Sequence, residues 1–153
     1  VPLSVDSFGG FRYLEWAGHT ISTGRSDAVE PGRPKILVID DEEDFIELAQ
    51  EIFGARGLQV VTARSAEEAE SLFEEGPPCG VAIIDYRLPG KNGAEVARRL
   101  HAAWPETRIV FLTGDSGAAT RIRRQIPSIA ACLVKPVEID SLLNLIGRLL
   151  QSN

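Results

Sequence analysis

Residues 34–153 are predicted to form an α/β fold built on one parallel sheet, and two observations predict it. Short apolar runs alternate strictly with segments whose apolar residues recur at helical spacing. Two of those runs, 36–39 (Ile-Leu-Val-Ile) and 81–84 (Val-Ala-Ile-Ile), are unbroken, and each stops on a carboxylate, Asp40 and Asp85. An unbroken run rich in β-branched residues is the pattern of a strand buried on both faces, as a parallel sheet covered by helices requires. A composition of 44% hydrophobic and 25% charged residues supports a globular domain with a real core.

Residues 1–33 read differently. They are rich in Gly and Ser and end in a strong break, Glu30-Pro31-Gly32-Arg33-Pro34. They are expected to be a flexible N-terminal extension. Yet Phe8, Phe11, Tyr13 and Trp16 crowd aromatics into it, and 11–16 and 19–22 read as two short strands about an Ala17-Gly18 turn. The alternative is a segment that folds back on the domain or docks a partner.

From Lys35 the alternation is regular. The strand 35–40 leads into a helix at 44–54 with Phe45, Leu48, Ala49, Ile52 and Phe53 on one stripe, and Gly57 closes it. A shorter strand, 58–62, follows. Ser65 with Glu68 three residues on is a capping-box signature, and Gly76-Pro77-Pro78 ends that helix. The central strand, 81–85, runs into a loop forced by Leu88-Pro89-Gly90 and Asn92-Gly93. A helix from Gly93 toward Trp104 places Val96, Ala97, Leu100 and Trp104 on one face, and Pro105 stops it. Then come a strand at 108–112, a weak basic helix at 118–125, a strand at 129–134, and a last helix at 139–150 facing Ile139, Leu142, Leu143 and Ile146 inward.

Five β-α units in this order predict a flavodoxin-like sheet of strand order 2-1-3-4-5 with helices on both faces. Ligands bind such sheets at the carboxyl ends of the strands, and there Asp40, Asp41, Asp85, Thr113 and Lys135 would emerge together. Three carboxylates at one edge raise one another's pKa unless a cation neutralises them. Oxygen ligands without His or thiolate select a hard metal, Mg2+ in a cytoplasm. Asp41 and Asp85 are candidates to bind it directly and Asp40 through water. A metal, the Lys135 ammonium and the Thr113 hydroxyl around Asp85 are what an aspartyl phosphate would require. Singly, each residue has a plainer reading: Asp40 and Asp41 as helix caps, Thr113 as a turn residue, Lys135 as a solvated one.

The remaining bulk features exclude other classes. A net charge of −6 argues against a nucleic-acid surface. Cys79 and Cys132 have no metal-binding spacing, and no apolar run approaches a membrane span or a signal peptide, so a reducing cytoplasm is expected.

The segment from Lys35 onward resembles the receiver domain of bacterial two-component response regulators (single-domain, CheY-like). The resemblance rests on Ile-Leu-Val-Ile-Asp40-Asp41-Glu, Ile-Ile-Asp85-Tyr-Arg-Leu-Pro-Gly-Lys-Asn-Gly, Phe-Leu-Thr113-Gly and Leu-Val-Lys135-Pro136, each at a strand end. It implies that Asp85 accepts a phosphoryl group from a sensor histidine kinase or histidine phosphotransfer protein. It also implies that Asp40, Asp41, Asp85 and the backbone carbonyl of Arg87 hold Mg2+, that Thr113 and Lys135 contact the phosphoryl group, and that Lys135–Pro136 is cis. One position departs from the pattern: Cys132 stands where the family often has a switching Tyr or Phe. Tyr86 is then the aromatic at the site edge, a candidate gate, and Arg87 and Asp115, beside the expected path of hydrolytic water, are candidates either to pair and shield the acyl phosphate or to position that water.

In the sequence as given, no recognition helix or enzymatic domain follows the receiver-like segment, which is either a stand-alone receiver or one cut from a longer protein, and its output is expected to be a contact with a downstream protein target. Leu145, Leu149, Arg121, Arg123 and Arg124 suggest a homodimer or partner face around the last helix, or else a wide core stripe beside a solvated basic patch. The leading reading is a phosphorylation switch that turns over no separate substrate. Its competitors are a phosphorylation-independent receiver-like adaptor and a Mg2+-dependent phosphohydrolase.

Overall fold

A computed structural model of the chain describes residues 35–76 and 78–151, together with the backbone of residues 5–8, 11–16 and 19–22. Near the N-terminus, β1 (Val5–Phe8), β2 (Phe11–Trp16) and β3 (His19–Ser22) pair antiparallel in the order β1-β2-β3. The sequence anticipates β2 and β3 but not β1, whose Val-Asp-Ser-Phe is too short and polar to signal a strand. The expected Ala17-Gly18 turn and the break at 30–34 lie outside the described residues.

From Lys35 the elements alternate: β4 (Lys35–Ile39), α1 (Glu43–Gly54), β5 (Gln59–Ala63), α2 (Ala66–Glu75), β6 (Val81–Asp85), α3 (Gly93–Ala103), β7 (Arg108–Thr113), α4 (Ser116–Gln125), β8 (Ala131–Val134) and α5 (Ile139–Gln151). The five strands are parallel in the order β5-β4-β6-β7-β8, the predicted 2-1-3-4-5 arrangement.

The sheet divides the core in two by simple alternation. Leu37, Ile39, Ala82, Ile84, Ile109 and Phe111 pack on one face beneath α2, α3 and α4, against Ala69, Leu100 and Ile122 among others. Ile36, Val38, Val81, Ile83, Val110 and Leu112 pack on the other beneath α1 and α5, against Phe53, Leu142 and Ile146. Among the described residues, no helix is long and apolar enough to cross a membrane.

Local chemistry explains the element ends. Ser65 Oγ accepts from the Glu68 N–H at 3.2 Å, as the capping signature predicts. The Glu68 carboxylate accepts from the Arg64 N–H at 2.8 Å, one residue outside the usual reciprocal partner. Asn92 caps α3, its Oδ1 accepting from the Glu95 N–H at 3.1 Å. Asp115 caps α4 by accepting from the Gly117 N–H at 2.9 Å, which starts that helix at Ser116 rather than Ala118. Likewise β8 starts at Ala131, two residues later than expected. Gly57 supplies the positive φ of 78° that ends the α1 turn.

The α1 stripe is also rotated from its expected position. Ile46, Ala49 and Phe53 are buried, whereas Leu48 is 38% exposed and Phe45 is half-buried. Phe45 packs at the rim of the α1/α5 core and there also meets Lys135.

Candidate functional site

The carboxyl ends of β4, β6, β7 and β8 converge on one edge, and the loops that follow them supply polar side chains. Asp40 follows β4 directly and is fully buried. A buried carboxylate is tolerated only with partners, and it has two. Asp40 Oδ1 accepts from the Glu42 N–H at 2.8 Å, and Oδ2 accepts from Lys135 Nζ at 3.0 Å. Asp85 closes β6 and is 7% exposed; its Oδ1 accepts from the Arg87 N–H at 3.1 Å, and its Oδ2 lies 3.5 Å from Lys135 Nζ.

Lys135 is thus the shared cation of the edge. Its Nζ also sits 3.5 Å from Glu42 Oε1 and 5.4 Å from the centroid of the Phe45 ring, within cation–π reach. The Lys135 N–H donates to the Thr113 carbonyl at 2.7 Å, which fixes the root of the lysine to β7. The Lys135–Pro136 bond is cis, as the resemblance implies. Thr113 is 1% exposed, and its Oγ1 accepts from the Asp115 N–H at 3.2 Å.

Asp41 is exposed, yet it completes a group of three: one carboxylate oxygen each from Asp40, Asp41 and Asp85 lie within 4.8 Å of one another. Burial raises the Asp85 carboxyl pKa above its ordinary value. The Asp40 charge adds to that, against the opposing Arg87 N–H and Lys135. For Lys135, burial disfavours the ammonium, but the hydrogen bond to Asp40 and the charges of Asp40, Asp85 and Glu42 outweigh it and raise the pKa. Three converging carboxylates against one ammonium leave net negative charge in a sheltered place. An all-oxygen donor set of that charge fits a hard divalent cation.

The sequence therefore brought Asp40, Asp41, Asp85 and Lys135 to one place, with Thr113 tied to Lys135 through the backbone. It missed Glu42 and Phe45 as neighbours of Lys135. Glu42 stood in the acidic run after Asp41, and Phe45 had been read as core stripe. Other expectations near the site fare unevenly. No ion pair joins Arg87 to Asp115, because the Asp115 carboxylate caps α4 and the Arg87 side chain is exposed. Tyr86 is half-buried and stands edge-on to Phe111, with ring centroids 5.8 Å apart. Cys132 is buried, packed among the residues beneath α4, with its thiol pKa raised by desolvation. Its carbonyl accepts from Arg123 at 3.1 Å, so one arginine of the basic helix is engaged in holding α4 to β8. Leu145 and Leu149 are half-buried against the α1/α5 side of the core.

Comparison with known proteins agrees with this architecture. Residues 36–147 match the pattern of the response regulator receiver domain. The transcriptional regulatory protein AruR of Pseudomonas aeruginosa is 37% identical over 93 residues, which cover 58% of this chain and 38% of AruR. The photosynthetic apparatus regulatory protein RegA of Cereibacter sphaeroides is 31% identical over 105 residues, 69% of this chain and 56% of RegA. The chain thus matches well under two thirds of the length of either curated relative. Among solved structures, the response regulator TrrA of Thermotoga maritima, crystallised in complex with Mg2+-BeF, superposes with a TM-score of 0.67. It is 29% identical, over 76% of this chain and 98% of TrrA. With a receiver pattern over residues 36–147 and the receiver strand order in its sheet, this chain belongs to the response regulator receiver domain family.

Proposed function

We propose that residues 34–153 form a phosphorylation switch of a His-Asp signalling system, with residues 1–33 as a separate extension. Asp85 is the phosphoacceptor, and a sensor histidine kinase or histidine phosphotransfer protein is the donor. The observation that carries this reading is the meeting of Asp40, Asp41 and Asp85 within 4.8 Å, with Lys135 Nζ 3.5 Å from the Asp85 carboxylate. Mg2+ would be held by Asp40, Asp41, Asp85 and the backbone carbonyl of Arg87; when bound it supplies positive charge against the incoming phosphoryl oxygens.

The chain's own residues supply the rest. An Asp85 carboxylate oxygen forms the new bond to phosphorus as the phosphorus–nitrogen bond of the donor phosphohistidine breaks, its electron pair staying on the imidazole. The Arg87 N–H, already 3.1 Å from Asp85 Oδ1, orients the nucleophile. The Lys135 ammonium is kept charged by its acidic neighbours and is placed to leave Glu42 for a phosphoryl oxygen. The Thr113 hydroxyl, held by what it accepts from Asp115, retains its own hydrogen to donate. The chemistry is a self-phosphorylation reversed by water, with no separate substrate turned over. Its output is a changed surface around α4, β8 and α5, read by a downstream protein or a second copy of the chain, in the cytoplasm.

Phosphoryl uptake from acetyl phosphate, read by intact mass with and without Mg2+, tests this. A Mg2+-dependent gain of one phosphate that Asp85→Asn abolishes is the expected result. Failure to take up phosphate from either acetyl phosphate or a phosphohistidine donor, together with failure to bind beryllofluoride, would overturn it.

A further inference from the structure

The loop between Asp85 and α3 is fastened at its tip by a side-chain arrangement that none of the residues above requires. Lys91 Nζ lies 2.9 Å from Glu70 Oε1, and Arg99 from α3 lies 3.0 Å from the other oxygen, Oε2. The Glu70 and Lys91 side chains are only 19% and 29% exposed, so this pair is sheltered more than an ordinary surface ion pair. Glu70 stands on α2, a different layer element from the loop it holds, 21 residues away in sequence.

The rest of the loop is pinned at its root. The Gly93 N–H donates to the Tyr86 carbonyl at 2.8 Å, and Arg87 pairs with Asn92 in an isolated antiparallel bridge. Between them, Gly90 turns the chain with φ of 78°, which leaves the tip dependent on the buried Leu88 and on Lys91. The same loop delivers the Arg87 N–H to Asp85 Oδ1.

We propose that Glu70 and Lys91 are positioning residues for the site. By tying the loop tip to α2, their ion pair holds the Arg87 peptide in register with Asp85. The N–H then stays on the nucleophile, and the carbonyl stays where the proposed Mg2+ site needs it; this last part rests on the phosphoswitch reading. Arg99 shares the carboxylate but reaches it from α3, so it braces the helices and not the loop.

The test compares the intact chain with Glu70→Gln, Lys91→Ala, the double variant, Lys91→Arg and Arg99→Ala by two readouts. The first is NMR-detected amide exchange at Arg87 and Asn92 in EDTA, with Ile83 as the core reference. The second is the Mg2+ dissociation constant by calorimetry. Glu70→Gln and Lys91→Ala are expected to speed Arg87 exchange and weaken Mg2+ binding, each about threefold to tenfold. That is below the range for direct outer-shell partners of metal ligands. The double variant should be no worse than either single one, because both remove the same link. Lys91→Arg should restore both readouts, and Arg99→Ala should leave both unchanged with Ile83 protection intact in every variant. Arg87 exchange at the wild-type rate in Glu70→Gln and Lys91→Ala would overturn the proposal, as would an equal effect from Arg99→Ala. A wild-type chain that binds no Mg2+ would instead sink the functional reading, while the exchange data in EDTA would still decide the positioning role.

Discussion

Lys135 Nζ donates to Asp40 Oδ2 at 3.0 Å across 95 residues of sequence, and among the described residues no other side chain donates to that buried carboxylate. Lys135→Met keeps the apolar stem but leaves that carboxylate with the Glu42 N–H alone. The expected loss is about 1.5–3 kcal/mol, the range for a hydrogen bond to a charged group. Urea denaturation in EDTA measures it, and added Mg2+ should narrow the gap between variant and wild type. The pH dependence has a definite sign. A lysine whose folded pKa lies above its ordinary 10.5 contributes its full stabilisation below that value and loses it as pH rises through the folded pKa. The difference between wild type and Lys135→Met should therefore shrink above about pH 10.5 and hold steady from there down to neutral pH.

Asp85 shares that sign, but here the fold disfavours the charged form. Its carboxyl pKa is raised chiefly by burial, so the folded state holds its proton more tightly than the unfolded chain does. The stability it contributes is present below the ordinary value of 3.8 and falls as pH rises through the folded pKa. At neutral pH the ionised side chain is a cost of folding. Asp85→Asn should raise the melting temperature of the metal-free chain at pH 7, by about 2–4 °C for each kcal/mol of repulsion and desolvation relieved. The gain should vanish toward pH 3, and calorimetric melts across that range check it.

Gly93 has no space for a side chain. A Cβ there would lie 2.8 Å from the Asp85 carbonyl oxygen, 2.9 Å from the Tyr86 Cα and 3.1 Å from a Phe111 ring carbon. Two of those neighbours are backbone and cannot swing aside. Gly93→Ala should destabilise the domain by about 1–3 kcal/mol, the usual range for overpacking. Because the strain falls on Asp85 itself, amide shifts at Asp85 and Tyr86 should move more than those of β5.

Both cysteines should be inert in the folded chain. Cys79 is 6% exposed with its thiol pushed up to about 11, and Cys132 is 3% exposed with its thiol also raised by burial. A thiol reagent such as DTNB should label neither at pH 8 until denaturant is added, and then both. Rapid native labelling of Cys132 would contradict its reading as a small buried hydrophobe.

The parts of this molecule that a sequence can reveal are those written in periodicity and at strand ends. Val81 to Ile84 and Ile36 to Ile39 announce buried strands, and the acids that stop them announce the site, because an acid at that position needs a reason. What was not legible depends on rotation and reach. Leu48 fits the α1 stripe as well as Ile46 does on spacing alone, and only packing against the sheet decides between them. Glu42 meets Lys135, and Glu70 meets Lys91, through side chains far apart in sequence, for which no local pattern exists. Asp115 looked like a partner for Arg87 because both flank the site. The backbone N–H of Gly117 takes it as a cap instead, at 2.9 Å.

The alternation of the sheet gives the site two sides. Asp85 continues the rhythm of Val81 and Ile83, which face α1 and α5, and Asp40 and Lys135 stand one residue beyond their strands on the same beat as Val38 and Leu133. Thr113 follows Ile109 and Phe111, which face α2, α3 and α4, the side that also takes Cys132. The ionic groups thus belong to one helical layer and the hydroxyl to the other. On the proposed phosphoswitch reading, a pull on Thr113 toward Asp85 would cross the thickness of the sheet, from the α1/α5 side to the layer that carries α4. A one-residue slip of any strand would send its member to the other layer, so the strand register decides which helices each site residue faces.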